Sequence, residues 1–356
     1  MFIFFPKPDY EWKDPTHEQW VQRCKEMVGR DIPLKILDIS KWNINEIVAE
    51  YYSDGKIFCL GDAVHRQVFI CVVASRANTS IRHPPFNGLG SNTCVQDAYN
   101  LAWKIKYVSH RLASPSILKS FSRERQPVGL GVVTRANQGI RDHTPVWDAL
   151  GLTKPTVEER MEFFSTLRKS NNLGRERRKT LNAAVEHTSQ EFHGIGVEMN
   201  HYYESCTIDL RDEVKAERTK PDWPENSTLY HLSTTFPGHR LPHAWLNLRM
   251  PLKSHVSTID LAGHGVFCLL TGIGGAKWKE AAQSVGQDLD VVIRSYGIGW
   301  GEDYEDVYRD WEKKREVEED GAVLVRPDRF ICWRAMQVEV DCEKKLSEVM
   351  KTVLGR

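Results

Sequence analysis

A chain of 356 residues is long enough for two domains, and 41% apolar with 27% charged residues is the balance of a soluble globular protein. Lys+Arg and Asp+Glu are equal at 48 each, so no global field steers the chain toward nucleic acid or an anionic membrane. No apolar run approaches a membrane span, and the stretch from Met1 to Lys7 lacks the basic region and cleavage site of a signal peptide. The eight cysteines include no C-x-x-C pair. That excludes a zinc knuckle, a disulfide framework or a dithiol redox centre and points to a reducing, cytoplasmic setting with mostly buried, inert thiols.

Three regions follow one another along the chain. In the first, to about Gly151, Glu18 to Met27 reads as a charged amphipathic stretch. Lys35 to Ile39 and Ile57 to Leu60 read as strands, the second apolar enough to be buried on both faces. A long helix is expected from about Asn92 to Leu112. Its residues Val95, Ala98, Leu101, Ala102, Ile105, Val108 and Leu112 recur at spacings of three and four as a core-facing stripe. The second region, 152–253, is polar and helical at first. Its basic cluster Arg175 to Lys179 reads as a solvated helix face, and Pro221, Pro224, Pro237, Pro242 and Pro251 mark a loop-rich linker. The third region, 254–356, alternates strand and helix. His264 to Thr271 and Leu289 to Tyr296 are expected as strands around a helix from Ala276 to Val285. Ala322 to Arg326 and Phe330 to Arg334 read as a hairpin turning at Pro327-Asp328, and Cys342 to Leu354 as a closing helix. The fold class implied is α/β and α+β.

The chemistry concentrates where the apolar strand ends. Leu60 runs into Gly61-Asp62-Ala63-Val64-His65-Arg66. After it come His83-Pro84-Pro85-Phe86-Asn87-Gly88-Leu89-Gly90-Ser91-Asn92 and the long helix with Asp97-Ala98-Tyr99-Asn100-Leu101-Ala102-Trp103-Lys104. A carboxylate at the C-terminal edge of a strand lies where α/β proteins bind ligands. A glycine-rich turn feeding a helix exposes unpaired N–H groups at the positive end of the dipole, which attracts anions and electron-rich oxygens. Singly, each feature is a common turn or cap. Histidine spacing offers no metal site: His239 and His243 are four apart, but Pro242 forbids a regular helix there. Trp42 and the other tryptophans read as core and interface residues.

In this order the motifs resemble the flavin-contacting segment of the FAD-dependent aromatic-ring monooxygenases, the phenol hydroxylase and dichlorophenol monooxygenase group. Ser122-Arg123-Glu124-Arg125-Gln126-Pro127-Val128-Gly129 resembles the segment that follows the helix in that family. Pro237 to Leu246 resembles the lead into its C-terminal domain, and Asp320 to Asp328 that domain's final hairpin. The resemblance implies a partial FAD-binding and substrate domain over 1–151, a helical segment and linker over 152–253, and a thioredoxin-like domain over 254–356. Asp62, after Gly61, would accept hydrogen bonds from the ribityl hydroxyls of FAD. Pro84 and Pro85 would wall the isoalloxazine, and the N–H groups of Gly88, Leu89, Gly90, Ser91 and Asn92 would face its N1 and O2 edge. The reaction implied is hydroxylation of a phenolic or polyketide-like aromatic by O2, with NAD(P)H as reductant, in a homodimer that uses neither nucleic acid nor membrane. No general base is named, because the family's phenol-contacting residues precede this chain's start.

Two departures from the family pattern are visible. No G-x-G-x-x-G follows an N-terminal strand, so the adenine-binding unit is expected to be missing and the chain to be N-terminally truncated. Gln67 to Arg82 also separates the Gly-Asp segment from His83-Pro84-Pro85. Its run Val68 to Val73 is apolar and β-prone, and the expectation is that it is translated from a retained intron or a misplaced splice boundary. The alternative reading of the whole chain is a non-catalytic remnant or pseudoenzyme that does not bind FAD.

Overall fold

The computed structural model describes residues 15–39, 45–68, 88–213, 224–248 and 254–356. The first helix, α1 (His17–Val28), is bounded by local chemistry: Thr16 and Gln19 form a reciprocal capping box, and Gly29 closes the helix in the left-handed region. Lys35 to Ile39 carries no strand, contrary to the sequence expectation. Leu37 is 87% exposed there, and the segment hydrogen-bonds to no neighbouring strand among the described residues. Strands β1 (Asn45–Val48), β2 (Ser53–Asp54), β3 (Ile57–Phe58) and β4 (His65–Val68) form two antiparallel ribbons, β1 with β4 and β2 with β3. The strand expected over Ile57 to Leu60 is therefore two residues long. It is not buried on both faces, since Ile57 is 68% exposed. Gln67 and Val68 finish β4, opposite Glu46 and Asn45, so the intervening segment begins inside a paired strand. Its remainder lies outside the described residues.

Helix α2 (Leu89–Ser109) crosses from this region into the C-terminal core. The expected apolar stripe faces inward only in part: Leu101 is buried and Val108 and Leu112 pack on the core, but Val95 is 66% and Ile105 44% exposed. The buried face carries Thr93, Asp97, Asn100 and Lys104 beside Leu101, Trp103 and Tyr107. Polar groups displaced part of the aliphatic stripe because their partners, from distant segments, occupy that side. Helices α3 (Ser120–Asp142), α4 (Thr144–Leu150), α5 (Val157–Ser165), α6 (Asn172–Thr188) and α7 (Ile195–Met199) follow as a helical layer. On α6 the basic cluster is largely solvated. Arg178 nevertheless donates to the carbonyl oxygens of Leu167 (2.7 Å) and Lys169 (3.0 Å), and Arg177 stacks on Phe163.

The C-terminal elements are β5 (Trp245–Asn247), β6 (Val256–Ser257), α8 (Thr258–Leu261), β7 (Phe267–Thr271), α9 (Ala276–Leu289), β8 (Ile293–Gly297), β9 (Glu305–Asp306), α10 (Asp310–Lys314), β10 (Ala322–Val325), β11 (Ile331–Ala335) and α11 (Cys342–Leu354). Four strands make a sheet of order β11-β10-β7-β8, in which β7 and β8 are parallel across α9 and the other pairs are antiparallel. Both faces are covered, which is why β7 and β10 are continuous apolar runs. Side chains alternate between two cores. Phe267, Leu269, Ala322 and Leu324 face α9, α11 and the end of α2, where Trp278 and Trp333 meet edge to face at 5.4 Å. Cys268, Leu270, Val323 and Val325 face the other way, with Leu246 and Trp311. A second, three-stranded sheet of order β6-β5-β9 lies on that side.

Part of the expected linker pairs with the C-terminal strands and hairpin. Gly238 N–H donates to Ile331 O at 2.8 Å, Leu241 N–H to Arg329 O at 3.0 Å, and β5 pairs with both β6 and β9. The hairpin and closing helix lie where the sequence places them, with a bulge between Leu324 and Val325. Cys24, Cys268, Cys332 and Cys342 are buried, whereas Cys59 and Cys206 are exposed. Among the described residues no helix is long and apolar enough to cross a membrane.

Candidate functional site

The Gly-Asp motif forms a single tight turn, Gly61–Ala63, seated on the first turns of α2. Gly61 adopts φ +61°, and a Cβ there would come within 2.8 Å of Cys94 Sγ. Both conformation and space therefore require glycine. The Gly61 N–H donates to Asp97 Oδ2 at 3.0 Å. Asp62 comes next, exposed, with the Cys94 thiol 3.9 Å from its Oδ1. The start of α2 is led by Gly88 at φ +60°, which has no side chain to cap the helix. Gly88, Ser91 and Asn92 are exposed, Gly90 half-buried and Leu89 buried. The structure thus brings Gly61 and Asp62 against the helix that begins with Leu89, Gly90, Ser91 and Asn92, one turn from Cys94. Pro84 and Pro85 lie outside the described residues. The donor set fits a flavin: an accessible carboxylate for hydroxyl groups, beside a helix N-terminus without a side-chain cap, for electron-rich oxygens.

Beneath this surface Asp97 is a fully buried hub. Its Oδ2 also meets His65 Nε2 at 3.0 Å, and its Oδ1 accepts from Arg125 Nε at 2.6 Å. Arg125 reaches on to Tyr203 Oη at 2.8 Å. Burial alone would raise the Asp97 carboxyl, but His65, Arg125 and the Gly61 N–H outweigh it and hold the group below the usual carboxylate range. Asp97 therefore stays ionised and fixes the turn that presents Asp62. Tyr52 packs close by, and its approach depends on Gly129, where a Cβ would collide with the phenol oxygen. Burial drives the Tyr52 hydroxyl well above its usual value.

A second buried hub follows along α2. Glu124 accepts from Lys104 Nζ at 2.8 Å, Asn100 Nδ2 at 2.7 Å, Arg326 Nη1 at 2.7 Å, and the hydroxyls of Ser205 and Thr207 at 2.6 and 3.0 Å. Arg326 also holds Asp328, through Nε at 3.0 Å and Nη2 at 2.5 Å. Against the cost of burial, Arg326 and Lys104 hold Glu124 well below its ordinary value. Lys104 is pulled down to about 8 by burial, offset in part by Glu124. Arg326 also lies over the rings of Trp103 and Tyr203, at 5.3 and 5.4 Å. This lattice ties α2 and α3 to the β10–β11 hairpin.

Asp97, Asn100, Lys104, Glu124, Arg125, Arg326 and Asp328 all lie within the sequence motifs, but the resemblance gives them no role. A signal existed: Thr93, Asp97, Asn100 and Lys104 recur at helical spacing, a polar stripe as regular as the aliphatic one. Among the described residues no group of three or more histidines, cysteines or carboxylates could hold a metal ion.

Comparison with known proteins bears directly on this geometry. Residues 1–136 match the FAD binding domain family, and residues 234–356 match the aromatic-ring hydroxylase C-terminal family. Along these two segments the chain is similar to the flavin-dependent aromatic-ring hydroxylases. It is 41% identical over 329 residues to 2,4-dichlorophenol 6-monooxygenase of Delftia acidovorans, covering 91% of this chain and 51% of that protein. It is 38% identical over 335 residues to phenol 2-monooxygenase of Pseudomonas sp. (strain EST1001), covering 94% of this chain and 51% of that protein. Among solved structures, the flavin-dependent monooxygenase PieE in complex with FAD and substrate superposes with a TM-score of 0.84 at 36% identity, over 99% of this chain and 56% of that one. Aklavinone-11 hydroxylase, at 23% identity and a TM-score of 0.68, shares the fold. The chain spans about half the length of the curated relatives it matches. These likenesses lend the non-catalytic alternative no support.

Proposed function

We propose that this chain takes part in FAD- and NAD(P)H-dependent hydroxylation of a phenolic or polyketide-like aromatic ring. The observation that carries the reading is the Gly61–Asp62 turn, locked by buried Asp97 onto the opening turns of α2. Asp62 and Gly61 would hold the ribityl chain of FAD. Pro84 and Pro85 would flank the ring, and the N–H groups of Gly88, Leu89, Gly90, Ser91 and Asn92 would face its electron-rich edge. When bound, the flavin supplies the redox and oxygen chemistry. The protein's part is to place it, to keep a positive helix end beside developing negative charge, and to exclude water. Asp97, held ionised, keeps the turn in register, and His65 and Arg125 keep Asp97 in place.

The C-terminal unit, which we place from about residue 234, reads as a thioredoxin-like domain. What supports this is the parallel β7–α9–β8 crossover followed by an antiparallel hairpin and a closing helix. It carries no C-x-x-C, so its role is structural: through Arg326 it braces the helix that holds the flavin edge, and a homodimer contact would belong to the same unit. A cytoplasmic site of action completes the proposal. The test is spectroscopic. The purified chain is expected to take up FAD and to oxidise NAD(P)H faster when a phenol is present. A chain that gains no flavin absorbance on incubation with FAD and passes through desalting colourless would contradict the reading.

A further inference from the structure

Between α2 and the Arg240–Phe330 bridge of the C-terminal domain lies a cavity of about 110 Å³, several times the ~30 Å³ share of one water molecule. Its walls include Gln96 and Tyr99 of α2, Arg240, Arg329 and Phe330, together with one carboxylate, Asp328, which Arg326 already engages. The charges around it do not balance. Arg125 is answered by Asp97, while Lys104 and Arg326 are answered by Glu124 and Asp328. Arg240 and Arg329 remain, with no carboxylate ion pair among the described residues. Among the described residues Arg329 Nε donates to the Ala262 carbonyl at 3.3 Å. Arg240 Nε is buried without an acceptor, and so is Gln96 Oε1 without a donor, among the described residues. Burial, with Arg125 and Arg329 close by, pulls the Arg240 guanidinium below its ordinary value, although Tyr203 and Asp328 act against it. Two half-buried guanidiniums thus face one carboxylate that is already engaged by Arg326, and under-compensated charge at such a site is costly.

We propose that this cavity binds a small oxyanion, a carboxylate or a phosphate, on Arg240 and Arg329. The planar guanidinium of Arg240 offers paired N–H donors that match two oxygens of such a group. The Tyr99 hydroxyl and the Gln96 amide add neutral donors from α2. The ligand would supply the missing negative charge and join α2 to the C-terminal domain. The site is separate from the Gly61–Asp62 turn: Tyr99 is eight residues beyond Ser91, about 12 Å along the helix. It therefore stands whether or not flavin chemistry is performed.

The experiment compares inorganic phosphate, acetate and chloride at matched ionic strength on the full chain, by thermal unfolding and titration calorimetry. Phosphate or acetate is expected to raise the Tm by saturable binding, and chloride is not. Which of the two oxyanions binds more tightly separates a phosphate ligand from an organic acid. Arg240→Met is expected to weaken binding about tenfold or more, the loss of a charge-assisted bidentate contact. Gln96→Glu places a carboxylate in the cavity, so it should raise the Tm without added anion and remove the oxyanion response. That variant decides the matter alone if Arg240→Met fails to fold. No oxyanion response in the wild type, or a response undiminished in Gln96→Glu, would overturn the proposal.

Discussion

Gly61 is held to glycine by two separate causes, and a second glycine in the same region allows them to be told apart. Gly55 has φ +56° with nothing within 4 Å of a built Cβ, whereas Gly61 combines φ +61° with the Cys94 sulfur at 2.8 Å. Gly55→Ala is expected to cost about 1–2 kcal/mol, the left-handed penalty alone. Gly61→Ala should cost more, because Cys94 must move and the Asp97 hydrogen bond must shift. Urea unfolding midpoints check this, and equal costs at the two positions would refute a tight Gly61–Cys94 seat. At this scale the sequence was informative: Gly61 and Asp62 stand out by motif. The reason the turn is rigid was not legible, because Asp97 reads as a polar helix residue until Arg125 and Tyr203 are brought beside it. Those partners lie 28 and 106 residues further along the chain, a separation no local pattern records.

Among the elements, α2 shows most plainly how a local rule can mislead. Its aliphatic residues recur at helical spacing, yet of that stripe only Leu101, Val108 and Leu112 pack inward, while much of the buried face is built of polar residues that pair with α3 and the hairpin. A buried polar residue is worth its place only when every partner is present, and here each partner comes from another segment. The C-terminal strands were legible for the opposite reason. Covered on both faces, β7 and β10 are continuous apolar runs that need no partner to be recognised. Ile57 to Leu60 was read by the same rule and failed, since a short apolar run does not reveal whether anything covers it. Glu124 is where the α2 lattice is weakest to change. Glu124→Ala would leave Lys104 and Arg326 buried without their shared counter-charge, and is expected to destabilise the fold by about 3–5 kcal/mol. Glu124→Gln, which keeps the shape and some hydrogen bonds, should cost less. Equal losses for the two variants, measured by denaturant unfolding, would mean that packing rather than charge holds this junction.

For the whole molecule, the same buried groups set the response to pH. Burial lowers His239 from its ordinary value to about 4 and lowers His201 well below its own. The unfolded chain therefore takes up protons on these residues before the folded one does. Their neutral, buried state contributes stability that is present above about pH 6.5 and lost as pH falls toward the folded values. Asp97 and Glu124 are also depressed, so their contribution is present above about pH 4 and lost below it. Stability is thus expected to fall in two stages on acidification, first between about pH 6.5 and 4 and then more steeply beneath. Denaturant midpoints recorded across that range check the sign. A midpoint that rises between pH 7 and 5 would contradict it.

The Gly61–Asp62 turn and the start of α2 are proposed to form a flavin seat. The most direct measurement is a titration of FAD with the purified chain, followed by quenching of flavin fluorescence, for the wild type and for Asp62→Ala. Saturable quenching by the wild type is expected. Asp62→Ala should raise the Kd about tenfold or more, the loss of hydrogen bonds to a charged acceptor. No saturable quenching, or the same Kd for Asp62→Ala as for the wild type, would contradict the account.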